Sequence, residues 1–253
     1  MKFNMKNAKK NLNLVMVPMV LLMLGIFLNS CSKDDGGSQK YECATCVDTP
    51  DALAENDNIG KGVYKGIIVG STGSLSIDIQ NGSNTITATM VLDGITVNLI
   101  SNVSYVAGQA YVAPFTGMYN GSPITLTFSV GLSGSNPTMI SSDIPGHPNA
   151  VFTIYKESST SLIEAFQGTY SKVGETGTFN ILLSRGLHLW GGIAKKNQAN
   201  AEADELDGII NDNDELMGNE NTVKIGKISG DTLSGSFKDS ENNTITITGQ
   251  RTL

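Results

Sequence analysis

Residues 74–94, SLSIDIQNGSNTITATMVLDG, decide the fold of this chain. Apolar side chains occupy every second position of the first half, at Leu75, Ile77 and Ile79. The same alternation resumes in the second half, at Ile86, Ala88 and Met90. Asn81-Gly82 stands between the halves, and this pair favours the tight turn of a β-hairpin. Because strand side chains alternate between faces, the stretch predicts an antiparallel hairpin with one face in the core and one in water.

The alternation continues along the chain and sets the fold class. Further strands are predicted over ITVNLI (95–100), VSYVAG (103–108), QAYVAPFTGMY (109–119), PITLTFSVGL (123–132) and AVFTIYKE (150–157). The chain contains 28 glycines and only 6% aromatic residues, a composition typical of a β-sheet protein with many turns. We therefore expect a mostly-β protein, built as an antiparallel β-sandwich or barrel.

The folded region divides into two similar halves, residues 59–157 and 166–253, which repeat with a period of about 105 residues. Residues 158–165 connect them. Four pairs of stretches correspond: SLSIDI (74–79) with TFNILL (178–183), VGLSGS (130–135) with KISGDT (227–232), GVY (62–64) with GTY (168–170), and AVFTIYKE with TITITGQR (244–251). The pattern predicts two diverged β-repeats. It leaves open whether they form two tandem units or join in one barrel or sandwich.

Residues 1–30 have the features of an export signal. They contain four lysines and no acidic residue, and residues 12–28 are almost entirely apolar. This apolar run has the length of a signal-peptide core and is short for a membrane-spanning helix, which needs about 20 residues. A positive N-terminus stays on the cytoplasmic side, so the rest of the chain is expected to be exported.

The leader ends in Leu28-Asn29-Ser30-Cys31, which resembles the lipobox of bacterial lipoproteins. The resemblance implies cleavage before Cys31 and lipid attachment to its sulfur, so that the acyl chains anchor the protein. Residues 32–35, SKDD, resemble the acidic export signal of Bacteroidetes lipoproteins, which implies the outer membrane and its external face. The alternatives are an ordinary signal peptide or an uncleaved anchor for residues 1–30, and a plain solvated linker after Cys31.

Residues 31–58 are polar and acidic, and they are predicted to form a flexible tether that contains two further cysteines. In an oxidising compartment Cys43 and Cys46 are expected to form a disulfide, which would stiffen one turn. A thioredoxin-like redox pair, a metal site and free thiols are the alternatives.

The charge of the chain disfavours nucleic acid as a partner. Removal of the leader takes away four of the 17 basic residues and none of the 24 acidic ones, which leaves a formal net charge of −11. Such a surface repels phosphate backbones. It also lacks a basic patch for anionic lipid, so contact with the membrane is expected through the acyl chains alone.

No segment matches a recognised catalytic or cofactor-binding motif, and we predict no catalytic residue, no cofactor and no metal site. GLSGS (131–135) lacks the final glycine of the hydrolase motif GxSxG. The acidic segment 202–221 offers oxygens of the kind that Ca²⁺ prefers, but its acids do not follow the spacing of an EF-hand loop. We interpret this segment as a solvated loop between strands.

Two residues are candidates for contact with a ligand. Trp190, the single tryptophan, either stacks on a sugar or fills the core, and His147 lies in the rigid turn PGHP (145–148). We expect a lipid-anchored cell-surface binding or envelope-structural protein, not an enzyme, with a glycan or protein ligand held by loops such as 134–149 and 195–222. The alternative is a lipocalin-like carrier of a small apolar ligand, which a closed apolar interior with spare volume would favour.

Overall fold

The structure, a computed structural model, describes residues 40–69, 73–198, 201–218 and 222–253. The predicted leader and Cys31 lie outside these ranges, so cleavage and lipid attachment remain predictions. Two short 3₁₀ turns occur, at Ala54–Asn56 and Leu132–Gly134, and no helix of the described ranges has the length and hydropathy to cross a membrane. All other regular structure in these ranges is β-strand.

The first repeat forms β1 Gly62–Val69, β2 Gly73–Ile79, β3 Ile86–Leu92, β4 Ile95–Ile100, β5 Tyr111–Tyr119, β6 Ser122–Val130, β7 Thr138–Asp143 and β8 Val151–Lys156. The second forms β9 Glu164–Lys172, β10 Glu175–Ser184, β11 Leu189–Lys196, β12 Ala203–Ile210, β13 Glu215–Gly218, β14 Val223–Ser229, β15 Thr232–Lys238 and β16 Thr244–Arg251.

Each set of strands forms one antiparallel up-and-down sheet. In the second set every strand pairs with the next and β16 returns to pair with β9, so the eight strands close into a barrel. In the first set the order is β7-β6-β5-β4-β3-β2-β1-β8, and β7 approaches β8 without pairing with it. The mostly-β fold and its two repeats are therefore confirmed. The repeats form two barrels in tandem, the first nearly closed and the second closed.

Strand ladders show which positions of the two repeats correspond. The β2–β3 ladder pairs Leu75 with Met90, and the β10–β11 ladder pairs Phe179 with Ala194. The predicted match between SLSIDI and TFNILL has this same register and is confirmed. Met90 in the first barrel is therefore the counterpart of Ala194 in the second.

The predicted match between the tripeptides GVY (62–64) and GTY (168–170) is wrong. Tyr64 lies opposite Ile77, and Ile181, the counterpart of Ile77, lies opposite Phe166. Phe166 rather than Tyr170 is thus the counterpart of Tyr64. Short glycine-containing stretches resemble one another at several registers, so the tripeptides could be aligned wrongly. Hydrogen-bonded pairing with the neighbouring strand fixes a single register.

The strand predicted at 103–108 is also wrong, because this segment is an irregular connection between β4 and β5. The Tyr105 hydroxyl accepts a hydrogen bond from the Gly60 N–H at 3.2 Å. Tyr111 donates one from its hydroxyl to the Val103 carbonyl at 2.9 Å. Tyrosine side chains, rather than a ladder, hold this segment in place.

The stretch 195–222, predicted as a loop, contains β12 and β13, and the predicted loop 134–149 contains β7. Leu206, Gly208 and Ile210 alternate toward the barrel interior, while Glu205 and Asp207 are solvent-exposed. The strand was missed because its outer face is acidic and its inner face includes a glycine, which gives little β propensity.

Residues 41–58 were predicted to be a flexible tether but are docked on both barrels. Glu157, which is fully buried, accepts hydrogen bonds from the N–H groups of Asp51 at 2.7 Å and Ile163 at 2.9 Å. It also pairs with the buried Lys65 at 2.7 Å. One carboxylate therefore joins the N-terminal segment, β1 and the connector before β9. An apolar cluster continues this contact between the barrels at Ile67, Ile163, Ala165 and Leu182.

Candidate functional site: a cavity inside the second barrel

The second barrel encloses a cavity of about 580 Å³. Its apolar wall is made of inward-facing residues of the seven strands β10 to β16, and β9 adds Tyr170 near the mouth. The wall residues include Phe179, Ile181, Trp190, Ala194, Leu206, Leu216, Ile225, Leu233, Phe237, Ile245 and Ile247. An eight-stranded barrel is just wide enough either to be filled by its own side chains or to hold one small ligand. The side chains of the second barrel leave part of its lumen open.

Trp190 is part of the wall rather than a plug in the lumen. A Cβ on Gly208, the cross-strand neighbour of Trp190, would lie 2.7 Å from the indole Nε1, so the ring lies flat over this glycine. The indole N–H donates a hydrogen bond to the Met217 carbonyl at 3.0 Å. The ring therefore spans β11 to β13 along the barrel wall, and only 5% of Trp190 is exposed to solvent. Gly168 accommodates the ring of Phe179 in the same way.

The mouth of the cavity has a belt of charged residues. The Glu175 carboxylate accepts a hydrogen bond from the Tyr170 hydroxyl at 3.0 Å and pairs with Lys196 at 3.1 Å. Lys172 lies between Glu175, at 3.9 Å, and Asp239, at 3.6 Å. Since these residues come from adjacent strand ends, acidic and basic groups alternate around this part of the rim.

Proton affinities at the mouth follow from these contacts. Burial raises the pKa of Tyr170 to about 12, and the hydrogen bond to Glu175 acts in the same direction. Burial tends to raise the pKa of Glu175, but hydrogen bonds from Lys196 and Tyr170 and the charges of two lysines hold it below its ordinary value of 4.5. The hydrogen bond and charge of Glu175 raise the pKa of Lys196. At neutral pH Tyr170 is therefore neutral and lies beside the charged pair of Glu175 and Lys196.

The opposite end of the barrel is closed by ion pairs. Arg251 and Glu164, both nearly fully buried, pair at 3.2 Å. Arg251 also contacts Asp231 at 3.4 Å and Asp48 at 3.1 Å, and Arg185 contacts Glu164. A buried charge is stable only when it is paired, so this cluster favours a fixed, closed end.

The N-terminal segment covers this closed end. Cys43 and Cys46 form a disulfide, which confirms the predicted bridge. The Cys43 N–H donates to the Asp231 carboxylate at 2.7 Å, and the Tyr41 hydroxyl donates to the Arg251 carbonyl at 2.8 Å. The bridged turn therefore holds backbone groups against the ion-pair cluster.

The first barrel is filled in the region where the second is hollow. Tyr64, Phe115 and Phe128 are at most 1% exposed. The centroid of the Phe128 ring lies 5.3 Å from that of Tyr64 and 6.3 Å from that of Phe115. Met90 and Leu92 are fully buried in the same cluster. Aromatic and long apolar side chains thus take up the lumen of the first barrel.

The structure separates the two candidate contact residues. Trp190 lines the cavity, whereas His147 lies at one end of the first barrel, on the connection between β7 and β8. The imidazole Nε2 is 3.1 Å from the Asp93 carboxylate and 3.4 Å from the Tyr119 hydroxyl. His147 therefore holds the β7–β8 connection against the first barrel.

The acids of the segment 202–221 are dispersed. Asp214 pairs with Arg185 at 2.7 Å, and Glu215 pairs with Lys224 at 2.6 Å. No group of three or more His, Cys, Asp or Glu residues in the described ranges is arranged to hold a metal ion.

The mouth residues Tyr170, Lys172, Glu175 and Lys196 were not predicted from the sequence. The signal was present, because each lies in phase with an inward apolar residue of its strand: Glu175 with Phe179, and Lys196 with Ala194. A charged residue that continues an inward face marks a barrel rim.

Comparison of this chain with family models, with curated proteins and with solved structures finds no match.

Proposed function

We propose that this protein is a lipid-anchored binding protein whose second barrel carries one small ligand with an apolar body. The observation that carries the proposal is the apolar cavity of about 580 Å³ inside a closed barrel. This volume falls within the range of small-molecule sites, which is roughly 300–1,000 Å³. The first barrel, which is filled, would serve as structural support.

The geometry favours a carrier over contact through loops. The long stretch 195–222, on which loop-mediated binding of a glycan or protein was expected, is largely the wall of the barrel. The aromatic ring of Trp190 faces the lumen and is not available as an exposed platform for a sugar. A ligand that uses Trp190 must therefore enter the cavity.

The anchor is proposed from the leader and from Cys31. The chain enters the folded unit at Tyr41, at the closed end of the second barrel, so an attachment upstream leaves the mouth at the other end free for ligand. The export signal after Cys31 supports a position on the outer face of the outer membrane. Two or three acyl chains suffice for stable anchoring, since each buried CH₂ contributes about 0.8 kcal/mol.

Labelling with palmitate tests the anchor. Wild-type protein expressed in a lipoprotein-processing bacterium should incorporate the label, and Cys31→Ala should abolish it. The double variant Cys43→Ser/Cys46→Ser is the control and should keep the label. Undiminished labelling of Cys31→Ala would exclude the lipobox.

Tryptophan fluorescence tests the carrier. Trp190 is the single tryptophan of the chain and lines the cavity, so titration with decanol should change its emission with one binding site per chain. Ala194→Phe, which projects a ring into the cavity, should weaken this binding at least tenfold. Lack of any saturable response in the wild type, together with no decanol retained in native mass spectrometry, would refute the carrier.

A further inference from the structure

The rim of the cavity also indicates which polar group the ligand carries. We propose that the ligand is a cationic amphiphile, with a protonated amine held beside Asp204 at the mouth and an apolar body in the lumen. This inference rests on the proposed carrier function and names its ligand class. The cavity is the site, and the rim charges select the head group.

The lysines at the mouth already have partners. Lys196 pairs with Glu175 at 3.1 Å, and Lys172 lies between Glu175 and Asp239. Lys238 donates to the Asn242 carbonyl at 3.1 Å. An anionic head group that drew Lys196 away would remove the shortest ion pair of Glu175 and leave that carboxylate with the Tyr170 hydroxyl and the more distant Lys172.

Asp204 is the carboxylate available to a ligand. It lies opposite Ala194 in the β11–β12 ladder, in phase with the inward Leu206, and therefore at the rim. Its side chain is exposed and makes no hydrogen bond or ion pair with any residue of the described ranges. The charges of Asp204 and Glu241 act on Lys196 in the same direction as the charge of its ion-pair partner Glu175, so this side of the mouth favours positive charge.

Two further features favour a cation. The exported chain has 24 acidic residues against thirteen basic ones, and such an excess draws cations toward the surface and repels anions. Tyr170 and Phe237 lie one inward position below Lys172 and Asp239, so their rings flank the path of a head group. Aromatic faces attract ammonium groups at short range.

Three probes of equal chain length separate the head-group classes: decylammonium, decanol and decanoate, each titrated at pH 7 while Trp190 fluorescence is recorded. We expect the affinity to decrease in that order. Asp204→Asn should weaken decylammonium roughly threefold, as expected for one exposed ion pair, and leave decanol unchanged. Asp143→Asn makes the same charge change at an exposed position of β7 and should alter neither.

The outcomes distinguish this inference from the carrier function. If decanol binds but decanoate binds as tightly as decylammonium, the carrier function stands and the cationic head group is refuted. An Asp204→Asn variant that binds decylammonium with wild-type affinity would also refute it. If none of the three probes binds, the carrier function fails and this inference fails with it.

Discussion

The two barrels share a topology and differ in what fills them. At one matched position, Met90 is fully buried in the first barrel and pairs with Val97, whereas Ala194 lines the cavity of the second and pairs with Asp204. Because alanine is much smaller than methionine, the second lumen lacks the long apolar side chain that fills this place in the first. Smaller side chains at a few inward-facing positions can thus turn a packed eight-stranded barrel into a hollow one, with the strand order unchanged.

The matched positions also differ in polarity toward the mouth. Leu92, which ends the inward face of β3, is fully buried, and its counterpart Lys196 is part of the charged rim. The first barrel therefore closes over its core with apolar residues, and the second ends in groups that remain in water. Access to the lumen follows from this exchange, because an apolar plug is replaced by solvated side chains.

The largest expected difference between the barrels is the loss of stability when an aromatic side chain is truncated to alanine. Phe128→Ala removes a fully buried ring from the first barrel and should lower the free energy of unfolding by about 4 kcal/mol. Phe237→Ala removes a ring that borders the existing cavity. This variant should lower the free energy of unfolding by only about 1 kcal/mol, because fewer contacts are lost. Urea unfolding followed by circular dichroism measures both. Equal losses would contradict the difference in packing.

The second expected effect concerns the junction that couples the barrels. Glu157→Ala removes the buried partner of Lys65 and leaves it only the half-exposed Asp51, at 3.2 Å, so it should lower the free energy of unfolding by about 3 kcal/mol. It should also separate the unfolding of the two barrels, since Glu157 joins β1 to the connector before β9. Hydrogen exchange with mass spectrometry resolves the barrels individually. Glu55→Ala, an exposed change in the same N-terminal segment, is the control, and coincident unfolding of both barrels in Glu157→Ala would contradict the coupling.

The smallest expected effect is a difference in acid response. The pKa of Glu175 in the second barrel is held below 4.5, so its contribution to stability is complete above that pH and is lost as the pH falls through the folded-state pKa. Burial raises the pKa of Asp78 in the first barrel above 3.8, so its contribution has the opposite sign and is lost as the pH rises.

Acidification through this range should therefore weaken the second barrel more than the first, as measured by hydrogen exchange of each barrel. Glu175→Gln should reduce the acid response of the second barrel, and Asp78→Asn should change that of the first. Equal acid responses of both barrels in the wild type would count against this assignment of the charges.

The sequence predicted the parts of the fold that depend on local patterns. The strands of residues 74–94 alternate strongly and pair as expected, but residues 80–85 form a six-residue connection in place of the tight turn predicted at Asn81-Gly82. The Cys43–Cys46 bridge could be predicted because a spacing of three residues suits a turn. Strand β12 could not, because its inward positions include Gly208 and its outward positions are acidic.

The cavity could not be predicted from the sequence, because it depends on contacts between strands. From the sequence alone, Gly208 is a residue with low strand propensity, and only the pairing of β11 with β12 shows that it lies beneath Trp190. Likewise, the small size of Ala194 has no evident meaning before Met90 is identified as its counterpart. The docking of residues 41–58 likewise depends on Glu157 and Asp231, which lie far away along the chain. Volume and long-range ion pairs are properties of the assembled barrels.

The reciprocal exchange of Met90 and Ala194 tests the central claim most directly. Met90→Ala should lower the free energy of unfolding by about 3 kcal/mol, because it opens a cavity in a filled lumen. Ala194→Met should change it by less than about 1 kcal/mol, because the second lumen has room for the longer side chain. A loss of about 2 kcal/mol or more in Ala194→Met, as overpacking of a filled core produces, would contradict the hollow second barrel.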